Sequence, residues 1–181
     1  MIHAMSEDMF SLPLHEYTLT FDDGLYSQWK YFDRLAEIDT DKLFFVSTAF
    51  ICHEKQTTDV VPSSVAHAKA RQGNFEDFMT VDQIRQITET PRCFIGGHGH
   101  LHLRLAELPR FVDRIKAADD DLAQMLDEMK KLVGTLPTSF CFPYNYDIGG
   151  MYQALLKRRG IVEWYGRERT PIETLLHIPY P

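Results

Sequence analysis

Thr20-Phe21-Asp22-Asp23-Gly24 constrains this chain more than any other stretch, because it sets two adjacent carboxylates at the end of an apolar run. The residues leading into it, Tyr17-Thr18-Leu19-Thr20-Phe21, are β-branched and aromatic and read as a buried strand. Neighbouring side chains on a strand point to opposite faces, so in mid-strand the two aspartates could not serve one site. At the strand end, with Gly24 able to take positive φ, the backbone can turn and aim both inward. Two carboxylates that close repel unless a cation lies between them. The motif therefore points to a metal site with a second acid beside it; the competing reading is an ordinary strand-ending turn.

A second cluster lies downstream. Phe94-Ile95-Gly96-Gly97 is a short apolar strand running into His98-Gly99-His100-Leu101-His102. His98 and His102 are four apart, so one turn of helix would put both imidazoles on one face, with His100 out of phase. With one carboxylate from elsewhere they make a two-histidine, one-carboxylate set with open positions for water and substrate. His100 is expected in a supporting or exposed role.

In this order the two motifs resemble those of the polysaccharide deacetylases, carbohydrate esterase family 4, whose catalytic unit is the NodB-like domain. The family's Thr-Phe-Asp-Asp-Gly is present unchanged, and His98, His102 and Leu105 fit its His-x-x-x-His motif. Cys141-Phe142-Pro143-Tyr144-Asn145 stands where Arg-x-Pro-Tyr-Gly is usual, and Leu175-Leu176-His177 matches the closing Leu-x-His. The resemblance covers about residues 17–178. It implies a distorted, incomplete (β/α) barrel, an α/β fold, and a metal-dependent hydrolase removing acetyl groups from N-acetylated or O-acetylated sugars or glycans. It also implies the roles: Asp23, His98 and His102 on a divalent metal, Asp22 as general base, His177 as general acid, and the backbone N–H of Tyr144 as oxyanion donor. Zinc leads as the metal, with cobalt, manganese, iron and nickel also compatible with one carboxylate and two imidazoles.

The third motif departs from the family. Its arginine, which pairs with the catalytic aspartate, falls at Cys141, and a thiol cannot make two charged hydrogen bonds to a carboxylate. A cation from another loop could substitute, with Arg104, Arg167 and Arg169 as candidates. Asn145 in place of glycine is a milder change, because asparagine tolerates left-handed backbone. Glu163-Trp164 is the nearest match to the family's fourth motif, although a strand tryptophan also reads as core. Two other functions keep company with deacetylation: an amide hydrolase acting on a formamido-sugar or other small amide, and an inactive carbohydrate-binding relative.

Composition bounds the rest. The 181 residues suffice for one core, with no linker dividing them, so a single catalytic domain over 1–181 is expected. A net charge of −7 argues against nucleic acid or an anionic membrane as the main partner; an acetylated sugar or glycan remains, and oligomeric state is open. Cys52, Cys93 and Cys141 stand singly in apolar surroundings and read as reduced, buried thiols. No signal-peptide pattern and no membrane-spanning apolar stretch is visible, so a cytoplasmic location is expected.

Periodicity predicts alternating strands and helices. Strands are expected around 17–21, 42–51, 93–97, 139–142, 161–165 and 175–178, with helices at 26–38, 64–72, 80–88, 109–133 and 150–159. Such repeats imply a parallel sheet with all four motifs at the C-terminal ends of strands.

Overall fold

A computed structural model describes residues 2–166. Five parallel strands, β1 (Leu19–Phe21), β2 (Lys42–Val46), β3 (Cys93–Gly97), β4 (Ser139–Cys141) and β5 (Glu163–Tyr165), lie side by side in chain order. Together they form a curled half-barrel with helices packed around it, the incomplete (β/α) barrel expected from the sequence. The strand expected at 175–178 lies outside the described residues.

β2 shows how the sequence divides between the two faces of the sheet. Leu43 and Phe45 point into the half-barrel and meet Cys141 and Tyr165. Phe44 and Val46 point outward, where the Phe44 ring stacks on Phe21 at 4.6 Å and meets Phe32 edge-on at 6.0 Å. This outer core is completed by α1 (Tyr26–Lys30), α2 (Phe32–Ala36) and α4 (Val81–Glu89), the last two contributing Leu35, Ile84 and Ile87. A second outer core joins α5 (Phe111–Leu132) and α6 (Met151–Arg158) to β4, with Leu122, Met125, Phe140, Tyr152 and Leu156 fully or almost fully buried. Ile95 touches both cores, so β3 is the seam between them.

The helix boundaries follow local chemistry. Thr80 caps α4 with a full capping box, its side chain accepting from the Gln83 backbone while the Gln83 side chain accepts from the Thr80 backbone. α5 ends at Gly134, whose φ of +85° suits the residue after a helix C-terminus. Pro109 precedes that helix rather than opening it, since Arg110 is the N-cap. The single helix expected over 26–38 is broken at Tyr31, where φ −104° and ψ 11° leave the helical region. β2 is shorter than expected, because residues 48–50 wind into a 3-10 turn. α3 (Ser63–Ala70) begins within a residue of its expected start.

Two glycines let β3 carry bulky neighbours on both faces. A Cβ on Gly96 would stand 2.4 Å from the Phe45 ring and 2.8 Å from Ser139 Oγ, and one on Gly97 would stand 2.5 Å from Met125 Sδ. Met125 is flexible and can yield, whereas the Phe45 ring is fully buried. Gly96→Ala should therefore destabilise the fold by about 1–3 kcal/mol. In a domain of this size that lowers Tm by about 2–12 °C. Thermal denaturation checks it; Gly96 is not among the glycines of positive φ, so the loss reports packing rather than backbone strain.

Candidate metal centre

Asp22 directly follows β1, and Asp23 and Gly24 both take φ of +74°. The expected turn is thus sharper than a single glycine would give, with the aspartate itself held in left-handed backbone, a conformation its short polar side chain tolerates. Both carboxylates are 2% exposed, so they point inward as the motif suggested. Gln28, buried in α1, ties the turn down by donating to the Asp22 carbonyl at 2.5 Å.

His98 and His102 also converge, but not on a helix. Residues 98–102 form a loop in which Gly99 has φ +78° and His102 φ +52°. The reason lies across the sheet in α5: the buried Asp121 carboxylate accepts the backbone N–H of His100 and of Leu101, each at 2.8 Å. A Cβ on residue 99 would lie 2.6 Å from Asp121 Oδ2, so only glycine admits that approach. The residues after β2 hold the same loop, with Ser47 Oγ donating to the His98 carbonyl at 3.0 Å and the Thr48 N–H donating to that of Gly99 at 3.2 Å. His100 turns away to bond Thr48 Oγ1 through Nδ1 at 2.8 Å.

The convergence leaves three donor atoms facing one another. His98 Nε2 and His102 Nε2 are 3.1 Å apart, and Asp23 Oδ1 lies 3.4 and 3.3 Å from them respectively. Three ligands on one ion at about 2.0–2.2 Å stand about 2.8–3.6 Å from each other, so the triangle has the dimensions a divalent metal requires. Asp23 Oδ1 is buried without a hydrogen-bond partner, which suits an atom reserved for a cation. His98 Nδ1 meets the Cys141 carbonyl at 2.8 Å, a contact that puts its proton on Nδ1 and turns the Nε2 lone pair toward the triangle.

Electrostatics agree. Burial works against charge on Asp23, yet the imidazoles of His3, His67 and His98 around it hold its carboxyl well below the usual range. Burial likewise opposes a charged His98, but its negative surroundings at Cys141, Asp22 and Asp23 hold the imidazole well above its ordinary value. His102 goes the other way, to about 3, through burial and the neighbouring His98. The pocket thus attracts positive charge, whether as a proton on His98 or as an ion.

Asp22 sits alongside, its Oδ2 4.0 Å from His98 Nε2 and accepting from Cys141 Sγ at 3.4 Å. The thiol therefore stands beside the carboxylate at the position expected to hold the arginine and gives it a weak hydrogen bond. Arg104 does not reach Asp22: its guanidinium lies 4.6 Å from the centre of the Tyr144 ring and 3.3 Å from Glu107. Tyr144 is itself left-handed, with φ 54° and ψ 20°, and its ring packs 4.6 Å from that of His102. As the second residue of the 3-10 turn Pro143–Asn145, its N–H has no acceptor within the turn. His177, Arg167 and Arg169 lie outside the described residues.

The sequence model of the polysaccharide deacetylase family matches residues 13–157. The chain belongs to that family. Solved structures with the same fold include the BpsB deacetylase domain from Bordetella bronchiseptica, at 19% identity over 84% of this chain and a TM-score of 0.65. IcaB from Ammonifex degensii follows at 19% over 87% and a TM-score of 0.62, and the chitin deacetylase from Colletotrichum lindemuthianum at 22% over 82% and 0.53. The chain spans 64%, 68% and 54% of these three, and at such identities the likeness concerns the fold alone. No curated protein matches the chain. Polysaccharide deacetylases are generally metal-dependent, and Asp23, His98 and His102 form a possible site for the ion.

Several residues at the centre were not singled out from the sequence. Asp121 lies 19 residues beyond His102 on a helix, and its signal was only an acid among acids. His3, Ser63 and His67 gather on Asp23 Oδ2 at 3.4, 3.0 and 3.1 Å. Ser63 and His67 are four apart on α3, a spacing visible in the sequence but too common to mark a site.

Asp121→Ala should release the His98–His102 loop while leaving the sheet intact. The amides of His100 and Leu101 should then exchange with solvent at least about tenfold faster, the scale of one lost charged hydrogen bond. Hydrogen exchange read residue by residue checks this, with β2 amides unchanged.

Proposed function

We infer that this polysaccharide deacetylase hydrolyses the acetyl group of an N-acetylated sugar or glycan, using a divalent metal held by Asp23 Oδ1, His98 Nε2 and His102 Nε2. The observation that carries this reading is the 3.1–3.4 Å triangle of those atoms with a second buried carboxylate, Asp22, beside it. Zinc is the first choice among the ions such donors accept. An ion there would supply a bound water of lowered pKa and polarise the acetyl carbonyl.

The chain's own residues carry the proton traffic. Asp22 is outside the ligand triangle but within 4.0 Å of His98 Nε2, close enough to take the proton of an attacking water as general base. Hydrolysis builds negative charge on the acetyl oxygen, and the Tyr144 N–H is the donor proposed to meet it. Its backbone is left-handed, and its ring contacts the His102 ring and the Arg104 guanidinium, which restrain the residue before substrate arrives. The amine then leaves with a proton, a step assigned to His177. Tyr144 is 46% exposed and offers a sugar ring a flat aromatic surface at the edge of the site.

Two sets of variants test these roles. Alanine at Asp23, His98 or His102 should each abolish stoichiometric metal binding, whereas His100→Ala should keep the metal; elemental analysis of dialysed protein reads this directly. Full occupancy in His98→Ala would refute the ligand set. Asp22→Asn should retain metal and fold but lose at least about a hundredfold in kcat. Acetate release from a panel of N- and O-acetylated sugars and formamido-sugars gives the rate and separates deacetylation from hydrolysis of another small amide. A fully metallated protein inactive across that panel would favour a carbohydrate-binding role.

A further inference from the structure

The two oxygens of Asp23 are treated very differently by the fold. Oδ1 faces the imidazoles and has no hydrogen-bond partner. Oδ2 accepts from Ser63 Oγ at 3.0 Å and lies 3.1 Å from His67 Nε2 and 3.4 Å from His3 Nδ1. These groups come from two separate segments. Ser63 and His67 stand one turn apart on α3, and His3 is delivered by residues that run beside the open edge of β1, where Ile2 pairs with Phe21. The delivery is anchored: the Ile2 N–H donates to the Thr20 carbonyl at 2.7 Å, and Gln28 Nε2 donates to the His3 carbonyl at 3.0 Å.

The His67 ring has little freedom. Phe50 and Phe78 pack against it edge-on at 5.3 and 5.9 Å, and the His102 ring lies 4.8 Å away. A carboxylate turns easily about its terminal bond unless its oxygens are held. Here one oxygen is held by side chains that have no other evident task, and it is the one that does not face the imidazoles.

We propose that Ser63 and His67 are positioning residues that clamp Asp23 Oδ2, so that Asp23 offers the metal a single oxygen, Oδ1, in fixed orientation, with His3 as an outer third contact. This rests on the reading of Asp23, His98 and His102 as the ligand set. The groups that orient a metal ligand typically change affinity by about 10–100-fold when removed. No step of the hydrolysis passes through Ser63 or His67, so their removal should act on the metal before it acts on chemistry.

The experiment measures cobalt(II) and zinc(II) dissociation constants by competition with a chromogenic chelator, together with the cobalt d–d spectrum, on the whole chain. His67→Ala and Ser63→Ala should each weaken binding by about 10–100-fold and alter the cobalt spectrum. His67→Gln, which keeps an N–H donor within reach, should recover most of the affinity, a rescue that a merely space-filling histidine would not show. If the wild type binds tightly, Asp23→Ala does not, and the Ser63 and His67 variants match the wild type in affinity and spectrum, the clamp is overturned and the ligand set stands. If the wild type binds no more ion than Asp23→Ala, the ligand set fails and the clamp with it. Should His67→Ala fail to fold, Ser63→Ala decides alone, since it deletes one hydroxyl at the helix start; unchanged affinity there overturns the clamp.

Discussion

Two aspartates buried side by side, each 2% exposed, impose the demand that the surrounding structure answers. Adjacent carboxylates taken out of water repel each other and lose hydration, so the fold must supply positive charge or hydrogen bonds for every oxygen that stays ionised. It does so unevenly. Asp22 has a thiol on Oδ2, Asp23 has a hydroxyl and two imidazoles on Oδ2, and Asp23 Oδ1 is left facing two imidazole nitrogens. In the proposed function the unpartnered Oδ1 of Asp23 takes the metal and Asp22 acts beside it as base, although both are aspartates one residue apart.

Holding the imidazoles in place falls to backbone rather than to regular structure. The β3 strand ends at Gly97, and the loop that follows is fixed by acceptors on α5 and donors after β2. Asp121 is itself buried, and burial raises its pKa despite the two N–H groups it accepts from, although it never touches the three donors. An anionic acceptor deep in the helix layer fixes the direction of both histidines through the chain between them.

The third motif differs from the pattern the family resemblance led one to expect. An arginine there could make a bidentate charged pair with Asp22; the cysteine on the inward face of β4 places its Sγ 3.4 Å from Asp22 Oδ2. Arg104 lies instead over the face of Tyr144, whose N–H is the proposed oxyanion donor.

The sequence alone determined the strand ends and the residue types placed there. Thr20–Gly24 and Phe94–His102 carry their meaning locally, because a β-branched run, a glycine and a charged pair each act over a few residues, and the parallel order of the strands follows from their alternation with helices. The same local spacing misled at 98–102, where i and i+4 can meet through a helical turn or through a loop with positive φ, and only Asp121 from a distant helix decides for the loop. Ser63, His67 and His3 were illegible for a related reason. Each is an ordinary polar residue in its own segment, and what makes them a set is one carboxylate oxygen reached from 20 to 44 residues away in the chain. Tertiary structure decided which aspartate oxygen is held and which is left facing the imidazoles, since that depends on distances that no periodicity encodes.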